Sequence, residues 1–375
     1  MKTYLSLTLT LFTFALSAQV REYTLRECVA IALQKNINIK QSEIDLEGAD
    51  IDKADAFGSF LPRLNAQTQH IWNNGLSQNI TNGLIENLTT QFSSFGGNVG
   101  VTLFNGRQNV NQLARANLNI IARQYQLEDM KDDISLFVAN AYLQVMFNRE
   151  FDQVQRYQLE LAKQELERTQ LRINAGVLTQ AEIYEIEANL ASQEQALVQA
   201  ENTYRLSRIS LAQLLLITDY ENFDIAKEDY DVPLSQILMQ DPKNIYETAL
   251  TLRNDIKLGA TNIEIAKKDI ELAKGALMPT LSAFYNYNTR ISYSNRFIET
   301  GNLIETPIGV VKQSGALVVR EIPDREIAGP LSFGDQFRQN DGHSYGLSLN
   351  IPIFNGNAVK NNIKRRKLNL RRFEN

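Results

Sequence analysis

The fold is decided by a stretch that contains neither proline nor glycine. Residues 107–172 read RQNVNQLARANLNIIARQYQLEDMKDDISLFVANAYLQVMFNREFDQVQRYQLELAKQELERTQLR. One unbroken helix of these 66 residues would be roughly 99 Å long at about 1.5 Å per residue. Two lines of apolar side chains run along it. The first, in steps of three and four, comprises Leu127, Met130, Ile134, Phe137 and Ala141. The second, mostly in steps of seven, comprises Val138, Val145, Leu159, Leu166 and Ile173. Such spacing predicts a coiled coil, and two lines predict a neighbouring helix on each side.

After this helix the chain turns back at Asn174-Ala175-Gly176. A returning helix over about 178–216 carries apolar residues spaced by seven, namely Ile183, Leu190, Leu197, Tyr204 and Leu211. It would be roughly 59 Å long, and an earlier helix over about 22–57 would be roughly 54 Å long. Because the two lengths together approach that of the long helix, we predict that the shorter helices lie end to end beside it.

The chain contains two copies of one plan. Leu61-Pro62-Arg63-Leu64 recurs as Met278-Pro279-Thr280-Leu281, an offset of 217, and Leu103–Gly106 recurs as Ile353–Gly356, an offset of 250. The second copy therefore carries 33 additional residues between these landmarks. Each copy reads helix, strand, loop, strand, helix, and the first helix ends where proline follows. An internal repeat of this length predicts two versions of one structural unit.

Four segments alternate between apolar and polar residues, as strands with one polar face do. The apolar faces comprise Leu64, Ala66, Thr68, His70 and Trp72; Val99, Val101 and Leu103; Leu281, Ala283, Tyr285, Tyr287, Thr289, Ile291 and Tyr293; and Tyr345, Leu347, Leu349, Ile351 and Ile353. The segments are near the roughly 9–11 residues of outer-membrane strands, and Trp72, Tyr293 and Tyr345 stand where interfacial aromatic residues belong. A soluble sandwich is the alternative. Loops at about 74–95 and 295–340 would join the strands and face the outside of the cell.

The composition argues against most enzymes and against nucleic-acid binding. Lys and Arg total 38 against 43 Asp and Glu, so the net charge of −5 offers no basic surface to nucleic acid. The two histidines, His70 and His343, form no metal-binding pair, and no phosphate-binding glycine motif occurs. Cys28 is expected to be a small buried apolar residue. We predict no catalytic residues, no metal site and no cofactor.

Residues 1–18 have the pattern of a secretory signal peptide. Lys2 precedes an apolar stretch from Tyr4 to Leu16, and small residues lead to the predicted cleavage site after Ala18, with cleavage after Ser17 as the alternative. A membrane-anchor helix is the other interpretation, but such a helix needs roughly 20 apolar residues. The pattern therefore predicts export.

Together, these motifs resemble those of the TolC-like outer-membrane efflux family. The resemblance rests on the signal peptide, on Leu61–Leu64 ending a helix, on Leu103–Gly106 opening the long helix, and on Arg172–Leu178 followed by Glu182. It implies a mainly α fold in which long antiparallel coiled-coil helices form an α-helical barrel and four strands per protomer contribute to a trimeric 12-stranded β-barrel. Physical reasoning points the same way, because four strands cannot close a barrel and lipid does not tolerate open edges. The resemblance also implies an outer-membrane location in contact with lipid, a periplasmic helical tunnel, a homotrimer, and two partners, a periplasmic adaptor and an inner-membrane pump.

The resemblance assigns functional roles near the turn. The tip that receives the adaptor corresponds to Asn174, Ala175, Gly176, Val177 and Leu178, and Glu182 occupies the position of an acid at the tunnel constriction. Structural roles are open for both sites. Gly176 could simply end a helix in the left-handed conformation, and Glu182 could be a first-turn acid favoured by the helix dipole. Ala181 stands where the family often has Ser or Thr.

The predicted organisation is a signal peptide at 1–18, a first repeat at 19–217, an equatorial linker at 218–242 and an incomplete second repeat at 243–375. Only 19 residues follow Gly356, so the second repeat is about 91 residues shorter than the first in this region. Seven basic residues in this last segment are expected to form a solvated helix face.

The function expected from this resemblance is that of an outer-membrane exit duct. It would passively conduct small molecules or secreted proteins from the adaptor and pump of an efflux or type I secretion system to the cell exterior. The alternative is a periplasmic coiled-coil adaptor without its own pore, against which the four alternating strands argue. A barrel enzyme would need a nucleophile and a base, and the sequence pairs neither histidine with a Ser or Asp.

Overall fold

The computed structural model describes residues 21–78, 84–227 and 239–375. The predicted signal peptide, and parts of the predicted loop at 74–95 and linker at 218–242, lie outside the described residues. The chain forms two compact units: a helical unit that combines the chain up to Ile51 with Leu118–Ile263, and a sheet unit that combines Asp52–Asn117 with Glu264–Asn375. Both repeats contribute to both units, so the repeat boundaries do not coincide with those of the compact units.

The first six helices of the described residues are α1 (Leu25–Lys35), α2 (Ile37–Gly58), α3 (Gln108–Asn174), α4 (Glu182–Leu214), α5 (Pro242–Leu252) and α6 (Asn254–Gly275). With 67 residues, α3 confirms the predicted long helix. The returning helix α4 begins at Glu182 rather than at 178, because the turn occupies the intervening residues. Among the described residues, no helix combines the length and the apolar character that crossing a membrane requires.

The prediction of one unbroken helix over 22–57 is wrong, because the helix is interrupted at Asn36. There ψ is 132° instead of helical, and the Asn36 N–H closes α1 on the carbonyl of Ala32. The Asn36 side chain then accepts a hydrogen bond of 2.9 Å from the N–H of Asn38 and so starts α2. Arg253, which corresponds to Asn36 at the offset of 217, interrupts the second copy in the same way, with ψ of 133°. The repeated break confirms that the two copies share one backbone plan.

The helical unit packs around α3. Side chains from α1, α2 and α4 share one core with it, so the shorter helices lie beside the long one; the fully or almost fully buried members include Cys28, Ala32, Ile39, Leu127, Ile134, Val138, Tyr142, Val145 and Leu211. Burial raises the pKa of the Cys28 thiol to about 12, which fits its predicted role as an apolar core residue.

The two predicted apolar lines of α3 do not face two different neighbours. Val138 and Val145 belong to the same core as Ile134, whereas Phe137 from the first line is 58% exposed. A different line is exposed, in steps of seven, four, seven and seven, and we call it the α3 stripe: Leu136, Leu143, Phe147, Val154 and Leu161. Seven-residue periodicity alone does not distinguish a line buried within the chain from one left outside.

A small parallel sheet completes the helical unit. Strand β1 (Arg21–Tyr23) pairs with β4 (Phe223–Ile225), and Phe223 is almost fully buried. Arg149 of α3 and Arg208 of α4 donate hydrogen bonds to carbonyls of β4 at 3.0 and 2.9 Å. The predicted linker at 218–242 therefore contains a strand fixed against the helices, although its residues 228–238 lie outside the described part.

The sheet unit is built on four antiparallel strands. Their order is β2 (Arg63–Gln78), β3 (Ile85–Asn105), β5 (Thr280–Ser292) and β8 (Gly342–Asn350). The four predicted strands are thereby confirmed. The predicted continuation of the last strand to Ile353 is wrong, because β8 ends at Asn350, two residues before Pro352, which has no N–H to donate to a neighbouring strand.

Both predicted loops are largely structured, so their predicted extents are corrected. β2 continues to Gln78 and β3 begins at Ile85, which leaves a short connection instead of a loop over 74–95. The region 295–340 holds a hairpin of β6 (Arg296–Val310) and β7 (Leu317–Ala328), followed by a short helix, α7 (Phe333–Gln339). The β-branched residues on both sides of the hairpin turn favour this pairing.

In both copies the same turn leads from the return strand into the helix that follows it. Gly106 and Arg107 both have φ of 64°, and Gly356 and Asn357 have φ of 62° and 63°. These left-handed pairs correspond at the offset of 250 and lie directly before α3 and before α8 (Ala358–Glu374). In α8, Arg366 reaches Asp269 of α6 at 3.4 Å, so the predicted solvated basic face makes at least one ion pair.

Candidate functional site

The turn between α3 and α4 is a helix-ending motif centred on Gly176. The Gly176 N–H bonds to the carbonyl of Ile173 and the Val177 N–H to that of Arg172, each at 2.9 Å, while φ of Gly176 is +74°. This pair of bonds is the Schellman arrangement, which favours glycine because a left-handed residue with a β-carbon is strained. The structural role considered for Gly176 is therefore present.

The predicted docking residues are mostly exposed around this turn. Asn174, Ala175 and Gly176 are exposed, Val177 has 63% of its surface accessible, and Leu178 is half-buried. No atom of the described structure lies within 4 Å of the position that a β-carbon on Gly176 would occupy. The turn thus presents backbone and small apolar side chains to the surroundings, which suits contact with another protein.

Glu182 is the first residue of α4, and its side chain reaches back to the turn. Its Oε1 accepts hydrogen bonds from the hydroxyl of Thr179 at 3.2 Å and from the Thr179 N–H at 3.4 Å. The N-cap residue, Ala181, makes no side-chain cap, so these two bonds link the turn to the first residue of the helix. The carboxylate is exposed, so its charge is accessible to solvent.

Two neighbouring rungs of the sheet separate apolar from polar side chains. One rung across all four strands holds Leu64, Val99, Tyr285 and Tyr345, and the next holds Asn65, Asn98, Asn286 and Ser344. Leu64 is 75% exposed and Tyr345 81% exposed, although they belong to the apolar face. A sheet with one exposed apolar face and one polar face suits a boundary between lipid and a water-filled interior.

Aromatic residues collect further along the apolar face. The rings of His70 and Trp72 lie 4.0 Å apart, and those of His70 and Tyr293 lie 5.4 Å apart. Ser93 links the group by hydrogen bonds to His70 at 2.8 Å and to the Tyr293 hydroxyl at 3.1 Å. Trp72 is eight residues from Leu64, or about 27 Å along an extended strand. Tyr345 lies on the rung of Leu64, at the other end of this stretch of about 27 Å on the apolar face. Aromatic residues therefore stand at both ends of the stretch, as interfacial residues would.

Two surfaces remain open to a partner. Within the described residues, β2 and β8 each pair with one strand only and so present a free edge. In the helical unit, the α3 stripe is exposed, and the rings of Phe147 and Phe151 stack on each other with centroids 6.4 Å apart. Free strand edges and exposed apolar lines are both features that further chains cover.

Comparison with known proteins agrees with this architecture. Residues 29–215 match the sequence profile of the family described as outer membrane efflux protein. The pyoverdine export outer membrane protein OpmQ of Pseudomonas aeruginosa is 27% identical over 182 residues, which are 48% of this chain and 37% of that protein. The chain therefore spans little more than a third of that relative's length.

Solved structures share the fold. The outer membrane protein VceC of Vibrio cholerae matches with a TM-score of 0.69 and 14% identity, over 93% of this chain and 73% of VceC. The CmeC outer membrane channel of Campylobacter jejuni matches with a TM-score of 0.68 and 16% identity, over 93% of this chain and 66% of CmeC. These likenesses confirm the predicted fold class of TolC-like channels. By its sequence profile and its fold, the chain belongs to the outer membrane efflux protein family.

Proposed function

We propose that three copies of the protein form an outer-membrane exit duct, through which solutes pass without chemical conversion. The strands would close into one barrel and the helices into one periplasmic tunnel. The hairpin of β6 and β7 would face the outside of the cell, as would the β2–β3 connection, and the turn at Gly176 would form the periplasmic tip.

The alternation of the four-stranded sheet is the observation that supports this proposal most strongly. Its polar rungs, such as Asn65, Asn98, Asn286 and Ser344, would line water, and its exposed apolar rungs would meet lipid. Four strands leave two free edges, and a membrane requires all backbone groups to be paired. Closure by further copies pairs β8 of one protomer with β2 of the next.

The helical unit supports the same assembly. The α3 stripe exposes five apolar side chains at coiled-coil spacing, and burying such a line against a neighbouring helix is favourable by about 25 cal/mol per Å². In a ring of helices that neighbour would come from another copy.

The tip would dock a periplasmic adaptor, which connects the duct to an inner-membrane pump. Val177 and the exposed backbone at Gly176 would be buried in that contact. Glu182, repeated three times around the axis, would place negative charge at the constriction and favour cations. The relative OpmQ carries the name of a pyoverdine exporter, and small molecules are the class of substrate that we propose here, with secreted proteins as the second class.

Substitution at Gly176 tests the docking role. We expect Gly176→Trp to abolish export while leaving assembly and membrane insertion unchanged, because the bulky ring fills the space that the adaptor would occupy. Gly176→Asn is the matched control, because asparagine tolerates the left-handed conformation and retains the helix end. If cells carrying Gly176→Trp exported the substrate as well as those carrying Gly176→Asn, docking at this turn would be wrong.

A further inference from the structure

The strands of the sheet differ in length at one end. The last residue of β5 that pairs with β8 is Asn288, whose partner is Gly342, yet β5 continues to Ser292. The edge of β5 that faces β8 therefore extends four residues beyond the reach of that strand. Backbone groups on such an edge need other partners.

Side chains following β7 supply these partners. The amide of Gln336 donates a hydrogen bond of 2.9 Å to the carbonyl of Ser292 and accepts one of 2.8 Å from its N–H, which imitates the pairing of a strand. Asn340 donates to the carbonyl of Arg290 at 2.6 Å. Gln336 is only 6% exposed. Helix α7 and the residue after its end thus replace the missing part of β8.

The same helix lies on the apolar face of the sheet. The centroid of the Phe337 ring lies 5.6 Å from that of Phe95 and 6.4 Å from that of Tyr287. The ring centroids of Phe333 and Phe95 are 5.7 Å apart. The other side of the helix is open, because Gly334, Arg338 and Gln339 are exposed. One side of α7 is therefore fixed to its own sheet while the other has no cover within the described residues.

The lengths of the two edge strands indicate what covers it. β2 has 16 residues and β8 has nine, so β2 would extend at least seven residues beyond a neighbouring β8. Residues Trp72–Ser77 of this extension include exposed apolar side chains, since Trp72 is 64% and Leu76 78% exposed. They are the part of the next protomer that would lie beyond the end of β8, where α7 stands.

We propose that α7 seals the outer part of the seam between protomers, by packing against Trp72–Ser77 in the outer part of β2 of a second copy of this chain. This inference rests on the proposed trimer and adds to it a surface specific to the insertion at 295–340. The open side of α7, which carries Arg338 and Gln339, would lie against that strand, and these polar side chains would form hydrogen bonds with its backbone.

Disulfide crosslinking in the outer membrane tests the seam. Gln339→Cys would be combined in turn with Trp72→Cys, Asn74→Cys or Leu76→Cys, and the native Cys28 is fully buried and serves as a silent background. A reference series would combine Ser348→Cys on β8 with Asn65→Cys, Gln67→Cys or Gln69→Cys on β2. Each variant would be oxidised and analysed on a non-reducing denaturing gel, with the single-cysteine variants as controls.

We expect a covalent trimer from at least one pair of each series and from no single-cysteine variant. A covalent trimer in the reference series alone would overturn the seam role of α7 and leave the proposed duct in place, since α7 would then face lipid or solvent. Absence of crosslinks in both series would overturn the seam and the trimeric closure together.

Discussion

Among single residues, Gly106 and Gly356 occupy equivalent positions of the repeat but different surroundings. Both have left-handed φ. A β-carbon on Gly106 would collide with the carbonyl oxygen of Gly275 and lie 2.7 Å from Cβ of Met278, whereas one on Gly356 would meet nothing within 4 Å among the described atoms. The repeat thus offers a matched pair that separates backbone strain from crowding.

We predict that Gly106→Ala destabilises the protein more than Gly356→Ala does. The conformational strain of about 1–2 kcal/mol is common to both, and crowding adds about 1–3 kcal/mol at Gly106 only. The midpoint of thermal unfolding, followed by circular dichroism in detergent, would measure the difference. Equal midpoints for the two variants would show that Gly275 yields to the added methyl group.

Glu182 combines a structural and an electrostatic role that one substitution can separate. A glutamine at this position would still accept the hydrogen bonds from Thr179, because its amide oxygen would replace the carboxylate oxygen that accepts them now. We therefore predict that Glu182→Gln retains folding and reduces the cation selectivity of channels in planar bilayers. Glu185→Gln, which also removes a first-turn acid of α4, is the control. Loss of selectivity in the control but not in Glu182→Gln would place the constriction charge elsewhere.

At the level of elements, α7 depends on a single buried amide. Leucine at position 336 would fill a similar volume but leave the N–H and the carbonyl of Ser292 without their partners, at about 1–3 kcal/mol for each group. We predict that Gln336→Leu lowers the midpoint of thermal unfolding clearly, while Gln339→Leu, at an exposed position of the same helix, changes it little. Similar midpoints for both would mean that α7 is not held by Gln336.

The sequence predicted the elements better than their ends. The spacing of apolar residues predicted α3. The helix breaks at Asn36 and Arg253 are 217 residues apart, which is the offset between the repeated sequence motifs. The break itself was missed because it depends on the backbone angle of one residue inside a continuous helical pattern. The hairpin of β6 and β7 lies where the sequence predicts a loop, although β-branched residues flank its turn.

The candidate site was predictable to a similar degree. The position of Gly176 between two apolar heptad patterns predicts its turn, and the spacing of Thr179 and Glu182 is compatible with the hydrogen bonds between them. The α3 stripe could not be predicted, because a heptad line looks the same in sequence whether its partner is in the same chain or another. Only burial in the folded chain separates Val138, which is covered, from Leu143, which is exposed.

For the whole molecule, the proposed topology places the hairpin turn outside the cell and the Gly176 turn inside the envelope. Lys312 and Arg172 are exposed next to these two turns and offer trypsin one site each. We predict that trypsin added to intact cells cleaves after Lys312 and spares Arg172, and that it reaches Arg172 only once the outer membrane is permeabilised. Cleavage after Arg172 in intact cells would invert the topology.

The central claim, that several copies close one barrel, is tested most directly by the native mass of the protein extracted from the outer membrane in mild detergent. Within the described part of the chain, β2 and β8 each pair with one strand only and the α3 stripe is exposed, and an assembly would cover all three. The account predicts a single species with three times the mass of one chain. A folded species with the mass of one chain, stable in detergent and showing the same strand content, would contradict it.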